Sequence, residues 1–188
     1  MINISATNRG SKRVEADFYA TPLSVIHNFL NHYDLKDGAI LEPSAGNGNF
    51  IKAIRERERN KHKITALEIR SEEFNNLNAI SDKVIIGDFL NLQIKDNFKT
   101  IIGNPPYSLA LEFLEKCFEI ANEDTDIIML LRTAFLESKK RYEFWQKHPL
   151  SELYVLSQRP SFTGKGTDAT SYSFFVWNNS KTQKIDVI

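Results

Sequence analysis

The sequence predicts an α/β fold: a mostly parallel, seven-stranded sheet with helices on both faces, closed by an antiparallel hairpin at its C-terminal end. Three observations carry this. Short apolar runs that end in a polar residue alternate with segments of helical periodicity over most of the chain. A small-residue loop, Pro43 to Phe50, joins one such run to a helix. Finally, the runs 152–157 and 170–177 are joined by a polar, glycine-containing loop with no helix between them, so that pair is antiparallel. With 188 residues, 41% hydrophobic and 26% charged, the composition is that of one globular domain. Residues 1–16 are expected to form a polar, mobile leader, and 17–188 a single domain.

The first element is a helix with Thr21 as N-cap, Pro22 at its first position and the stripe Leu23, Ile26, Phe29 and Leu30, ending by Asp37-Gly38. The run 39–42 is a short strand, followed by the loop and a helix to about residue 60. A strand over 64–68 leads to a helix begun by Ser71-Glu72-Glu73, whose acids suit a helix N-terminus. Strands over 84–88 and 100–103 follow, then a helix over 108–122 with Leu111, Leu114, Cys117, Phe118 and Ala121 inward. The run 126–131 is a buried strand, 137–148 a helix, and the closing hairpin completes the sheet.

The most informative stretch is Asn104-Pro105-Pro106-Tyr107, directly after the apolar run 100–103. Proline fixes its own φ and restricts the residue before it, so two in succession hold the backbone carbonyls in set directions. The Asn104 side-chain oxygen and the Pro105 carbonyl can then both accept from one NH2 group, with Tyr107 against the ring that bears it. A plain turn is the simpler reading, since Asn-Pro is a common turn dipeptide.

The loop after Glu42 invites a ligand at a helix N-terminus. The dinucleotide fingerprint fails, because Ile51 stands at its third glycine. Glu42 would repel a pyrophosphate and attract a cation. S-adenosylmethionine, with a sulfonium and an ammonium and no phosphate, suits the loop better than NAD. Glu68 ends the next strand, roughly 20 residues on, where doubly wound folds bind ribose hydroxyls. Asp88-Phe89 ends the third and can accept from an adenine amine and stack on its ring. Any one such acid is more often a helix N-cap.

Together these residues resemble the S-adenosylmethionine-dependent DNA methyltransferases of the adenine-N6 type, and the likeness extends over most of the chain. It implies the Rossmann-like class I methyltransferase fold. By the resemblance, Asp17 to Pro22 matches the N-terminal cofactor motif, with Phe18, Tyr19, Thr21 and Pro22 at the cofactor. Glu42, Pro43, Ser44, Ala45, Gly46 and Gly48 match the cofactor loop, Glu68-Ile69 the ribose site and Asp88-Phe89 the adenine pair. Asn104, Pro105, Pro106 and Tyr107 match the catalytic tetrapeptide, with Asn104 also touching the cofactor. Phe162 lies where the family places an aromatic that stacks on the target base, and Lys165 offers a phosphate charge nearby. The implied reaction is methyl transfer to the exocyclic N6 amine of adenine in duplex DNA, with the base flipped out.

Rival readings are adenine in RNA, whose pocket chemistry is the same, a glutamine amide in a protein, and a cofactor-binding partner subunit without catalysis. The sequence leaves no room for a separate target-recognition region, so relaxed sequence preference and a small phage-like or orphan enzyme are expected. Acids and bases balance at 24 each, which confines any nucleic-acid footprint to local patches: Arg9, Lys12 and Arg13, then Lys139-Lys140-Arg141, then Arg159 with Lys165. The basic cluster within 55–63 is mixed with acids and reads as a solvated face. A cytoplasmic protein is expected: no signal peptide is visible, the longest apolar run is too short for a membrane, and one cysteine, Cys117, has no partner in the chain. The four histidines show no ligand spacing, so no metal is expected.

Overall fold

The computed structural model describes residues 20–59, 61–162, 168–180 and 182–188. The leader 1–16, Phe18, Tyr19 and Lys165 lie outside the described residues.

Eight strands form one sheet: β1 (Ala39–Glu42), β2 (Lys63–Glu68), β3 (Lys83–Ile86), β4 (Thr100–Gly103), β5 (Asp126–Arg132), β6 (Glu152–Val155), β7 (Tyr172–Trp177) and β8 (Lys184–Val187). Their order is β3-β2-β1-β4-β5-β7-β6-β8. The first five strands run parallel, and β7 enters antiparallel between β5 and β6. The closing hairpin and the seven expected strands are therefore present. The eighth strand is an addition: β8 pairs parallel with β6 at the sheet edge. Only four residues long, with Ile185 and Val187 turned to solvent, it lacks the apolar run that marks the other strands.

Side chains along each strand alternate between two cores, as a pleated strand covered on both faces requires. Ile40, Ile64, Ile128, Leu130, Phe174 and Val176 face one core, which α1 (Leu23–Leu30) and α2 (Asn49–Arg57) cover with Ile26, Phe29, Ile51 and Ile54. Leu77 of α3 (Phe74–Asn78) completes that layer. Leu41, Ile101, Ile127, Met129, Phe175 and Trp177 face the other, under α4 (Ala110–Ile120) and α5 (Tyr142–Lys147). Phe174 joins the halves of the first core: it stacks on Phe29 at 4.1 Å and meets Phe50 edge-on at 6.3 Å.

Several boundaries differ from the sequence expectation, each for a local reason. Helix α1 begins one residue later, with Pro22 as its N-cap and no side-chain cap. The hydroxyl of Thr21 accepts instead from Asn104 Nδ2 at 3.1 Å. After β2 the chain makes a 3-10 turn (Ser71–Glu73) before the five residues of α3. In α4 the buried face is Ala110, Phe113, Leu114 and Cys117, while Leu111, Phe118 and Ala121 are only partly covered. Burial pushes the Cys117 thiol well above its ordinary pKa, so it is an inert core thiol. The helix expected over 137–148 is reduced to α5, preceded by a 3-10 turn (Lys139–Arg141) that Ser138 caps at a φ of 114°.

Candidate active site

The strand order reverses between β1 and β4, and a crevice outside the carboxyl ends of the strands is where an open α/β sheet takes its ligand. Here that crevice is a cavity of about 640 Å³. Each of the first four strands delivers a polar residue to it from its C-terminal end or within two residues beyond it: Glu42, Glu68, Asp88 and Asn104. Thr21, Pro43, Ser44, Ala45, Gly46, Ile69, Phe89 and Pro106 also line it. Pro22, Gly48, Pro105, Tyr107 and Phe162 do not.

The loop after β1 is held from three sides. Ala45 N–H donates to Leu67 O at 2.8 Å, Gly46 N–H to Glu68 Oε2 at 2.6 Å, and the Ser44 hydroxyl to Asn104 O at 3.1 Å. Gly46 and Gly48 both have positive φ, 56° and 77°, the left-handed region that glycine enters without a Cβ penalty. Gly48 is the N-cap of α2 and sits behind the cavity. A Cβ there would come within 2.5 Å of Ile80 Cδ1 and 3.2 Å of Leu77 Cδ2, so it is the point where α2 meets α3. Gly48→Ala is expected to destabilise the fold by about 1–3 kcal/mol through backbone strain and this contact, measurable as a lower denaturant midpoint.

Glu42 and Glu68 are both buried, at 2% and 6% exposure, yet their surroundings differ. Glu68 is well partnered, with room left on Oε2: besides Gly46 N–H on that oxygen, its Oε1 accepts from Arg70 N at 3.0 Å and Arg70 Nε at 2.9 Å. Among the described residues Glu42 Oε2 has no hydrogen-bond partner. Burial, and then the neighbouring Glu68, push the Glu42 carboxyl well above the ordinary glutamate range, with Lys52 opposing. Asp88 is used locally as well as lining the cavity: its carboxylate accepts from Leu90 N at 3.0 Å and Asn91 Nδ2 at 2.6 Å. Phe89 is fully buried, 5.0 Å from the ring of Phe113.

Asn104 joins the cavity to the first helix. Its Nδ2 donates to Thr21 Oγ1, and Asn49 Nδ2 in turn donates to Thr21 O at 2.8 Å. Tyr107 lies to one side. Its hydroxyl hydrogen-bonds Asn104 and Tyr172, its ring is 5.5 Å from that of Tyr172 and 6.5 Å from that of Phe162, and the Arg132 guanidinium stands over it at 5.0 Å. Burial and the adjacent Tyr172 push the Tyr107 hydroxyl far above its usual pKa, so it remains a neutral phenol. Phe162 packs on Tyr172 at 5.0 Å and is half-buried against the first core.

The cavity also takes Asn47, Phe50, Arg70, Leu109 and Phe113, none of which the sequence singled out. Arg70 had a signal, lying two residues past the strand-end acid it holds; the others arrive through the loop's path and the start of α4. Of the basic patches, Lys139 and Lys140 are exposed, whereas Arg141 donates to Glu137 O at 2.6 Å and lies over Phe135. The 55–63 cluster is an ion-paired surface, with Arg55 on Asp82 and Lys61 on Asp37 and Glu58. Among the described residues no group of three His, Cys, Asp or Glu is placed to hold a metal, and no helix is long and apolar enough to cross a membrane.

No protein-family model matches the chain. It is 30% identical over 127 residues to the type II methyltransferase M.CvrRI of Paramecium bursaria Chlorella virus XZ-6E, a match covering 56% of this chain and 33% of that protein. The chain thus spans about a third of the length of the curated relative it matches. A Listeria monocytogenes protein described as a class I S-adenosylmethionine-dependent methyltransferase superposes with a TM-score of 0.70 at 13% identity, over 93% of this chain and 67% of that one. A Pyrococcus horikoshii protein described as an RNA methyltransferase does so with 0.66 at 17% identity, over 87% of each. The fold is that of the class I methyltransferases.

Proposed function

We propose that the chain is an S-adenosylmethionine-dependent methyltransferase acting on the exocyclic N6 amine of adenine in DNA. The observation that carries this reading is the convergence on one cavity of two buried acids, Glu42 and Glu68, with the pair Asp88-Phe89 and the amide of Asn104. The unpartnered, buried Glu42 oxygen is the feature that fits the cofactor: an acid in that position is costly until a cation meets it. The likeness to a type II methyltransferase supports the same class of reaction.

When bound, S-adenosylmethionine would supply an electrophilic methyl group to an attacking amine nitrogen: the N–C bond forms as the S–C bond breaks, S-adenosylhomocysteine leaves, and the amine loses one proton. The residues of the chain position the partners. The loop from Glu42 to Gly46 takes the methionine end, Glu68 with Ile69 the ribose, and Asp88 with Phe89 the adenine ring. The Asn104 amide, oriented through Thr21, and the rigid Pro105-Pro106 turn present acceptors to the target amine, which draws electron density toward its nitrogen. Tyr107 and Phe162 offer aromatic surface to the flipped base, and Lys165 a charge to the backbone. No group of ordinary base strength is required, because the product amine releases its extra proton to water.

The test is incubation with methyl-labelled S-adenosylmethionine and separate DNA, RNA and protein pools, followed by identification of the labelled product. N6-methyladenine in DNA is expected; label confined to RNA or to glutamine amides would overturn the substrate assignment. Glu68→Ala is expected to weaken cofactor binding by about 1–3 kcal/mol, as polar partners are left unpaired, and calorimetric titration checks it.

A further inference from the structure

The cavity holds more acid than it has partners for. Glu68 is matched by Gly46 N–H and by Arg70. Glu42 is as deeply buried but, among the described residues, has an oxygen with no hydrogen-bond partner and no ion-pair partner. From β2 it faces Glu68, an acid. From α2 the nearest cation is Lys52, whose ammonium donates to Asn47 O at 2.8 Å. From β4 it meets Gly103 and, across the cavity, the neutral amide of Asn104. From the end of β3 comes Asp88, a third acid on the same cavity.

We infer that Glu42 is the residue that selects the ligand by charge: it carries a proton in the free protein and surrenders it when a ligand bearing a fixed positive charge enters. This inference rests on the cofactor reading above and goes beyond it, because it makes binding a proton-for-cation exchange. The physical reason is that two carboxylates cannot both ionise in a shared buried site with one matched counter-charge. The displacement of its carboxyl far above the ordinary range through burial and Glu68 has the same sense. A bound cation reverses that balance, the carboxyl ionises, and one proton leaves to solvent. A neutral ligand of the same shape gains nothing from Glu42 and releases no proton.

The experiment is calorimetric titration of the intact protein at about pH 6, in two buffers of different ionisation enthalpy. At that pH an α-amino group is already fully protonated and contributes no proton of its own. The probes are S-adenosylmethionine and 5′-methylthioadenosine, which keeps the adenosine and the methyl-bearing sulfur but, as a neutral thioether without the amino acid chain, has no permanent charge. For the wild type, release of about one proton is expected with S-adenosylmethionine and none with methylthioadenosine. Glu42→Gln, confirmed as folded by its thermal transition, is expected to release none, to bind S-adenosylmethionine about 10- to 100-fold more weakly, and to bind methylthioadenosine within about threefold of wild type. Binding of S-adenosylmethionine by the wild type without proton release overturns the inference and needs no variant. So does an equal loss of both ligands in Glu42→Gln. Failure of the wild type to bind either probe overturns the cofactor reading itself, and the inference with it.

Discussion

Asn104→Ala is expected to lower turnover by about a hundredfold or more while changing cofactor affinity by less than about fivefold. The side chain stands at the end of β4, directly after the fully buried strand Thr100–Gly103, and is held by donation to Thr21 Oγ1. Its backbone carbonyl separately receives the Ser44 hydroxyl, a contact that alanine retains. The loss is therefore confined to the group that would grip the target amine. Single-turnover rates with saturating cofactor, read beside equilibrium binding of S-adenosylmethionine, check it. A variant within about threefold of the wild-type rate would remove Asn104 from the chemistry.

Phe174→Ala is expected to destabilise the fold by about 3–5 kcal/mol. The ring is wholly buried at the centre of β7, stacked on Phe29 of α1 and edge-on to Phe50 of α2, so its removal leaves a cavity that neither strand nor helix can close. Two elements depend on this packing: α1, which carries Thr21 at its start, and α2, which carries the Gly loop. Denaturant titration gives the loss in stability, and a smaller loss would mean that α1 collapses into the space.

The ends of β1, β2, β3 and β4 were legible in the sequence because each is an apolar run closed by a polar residue, and in a parallel sheet those ends share one edge. Glu42, Glu68, Asp88 and Asn104 were found together for that reason. What local pattern could not carry is contact across long separations. The hydroxyl of Thr21 reads as a helix cap until Asn104, 83 residues away, is seen to donate to it. Gly48 reads as part of a ligand loop until Ile80 is found against its Cα, which makes it a packing point. Strand β8 was missed because it lacks the continuous apolar run of a buried strand, and its alternation, Lys184-Ile185-Asp186-Val187, lasts only four residues with both apolar side chains exposed.

Every residue lining the cavity falls between Ala20 and Phe113, while Arg132, Phe162 and Tyr172, which surround Tyr107, come from β5 onward or from the connection and strand that follow β6. On the proposed function, donor and acceptor recognition are written in consecutive halves of the polypeptide, meeting at the tetrapeptide. The residues around Tyr107 can therefore be rewritten to address a different acceptor while the cavity walls keep their identity, provided the core contacts of β7, such as Phe174 on Phe50, are retained.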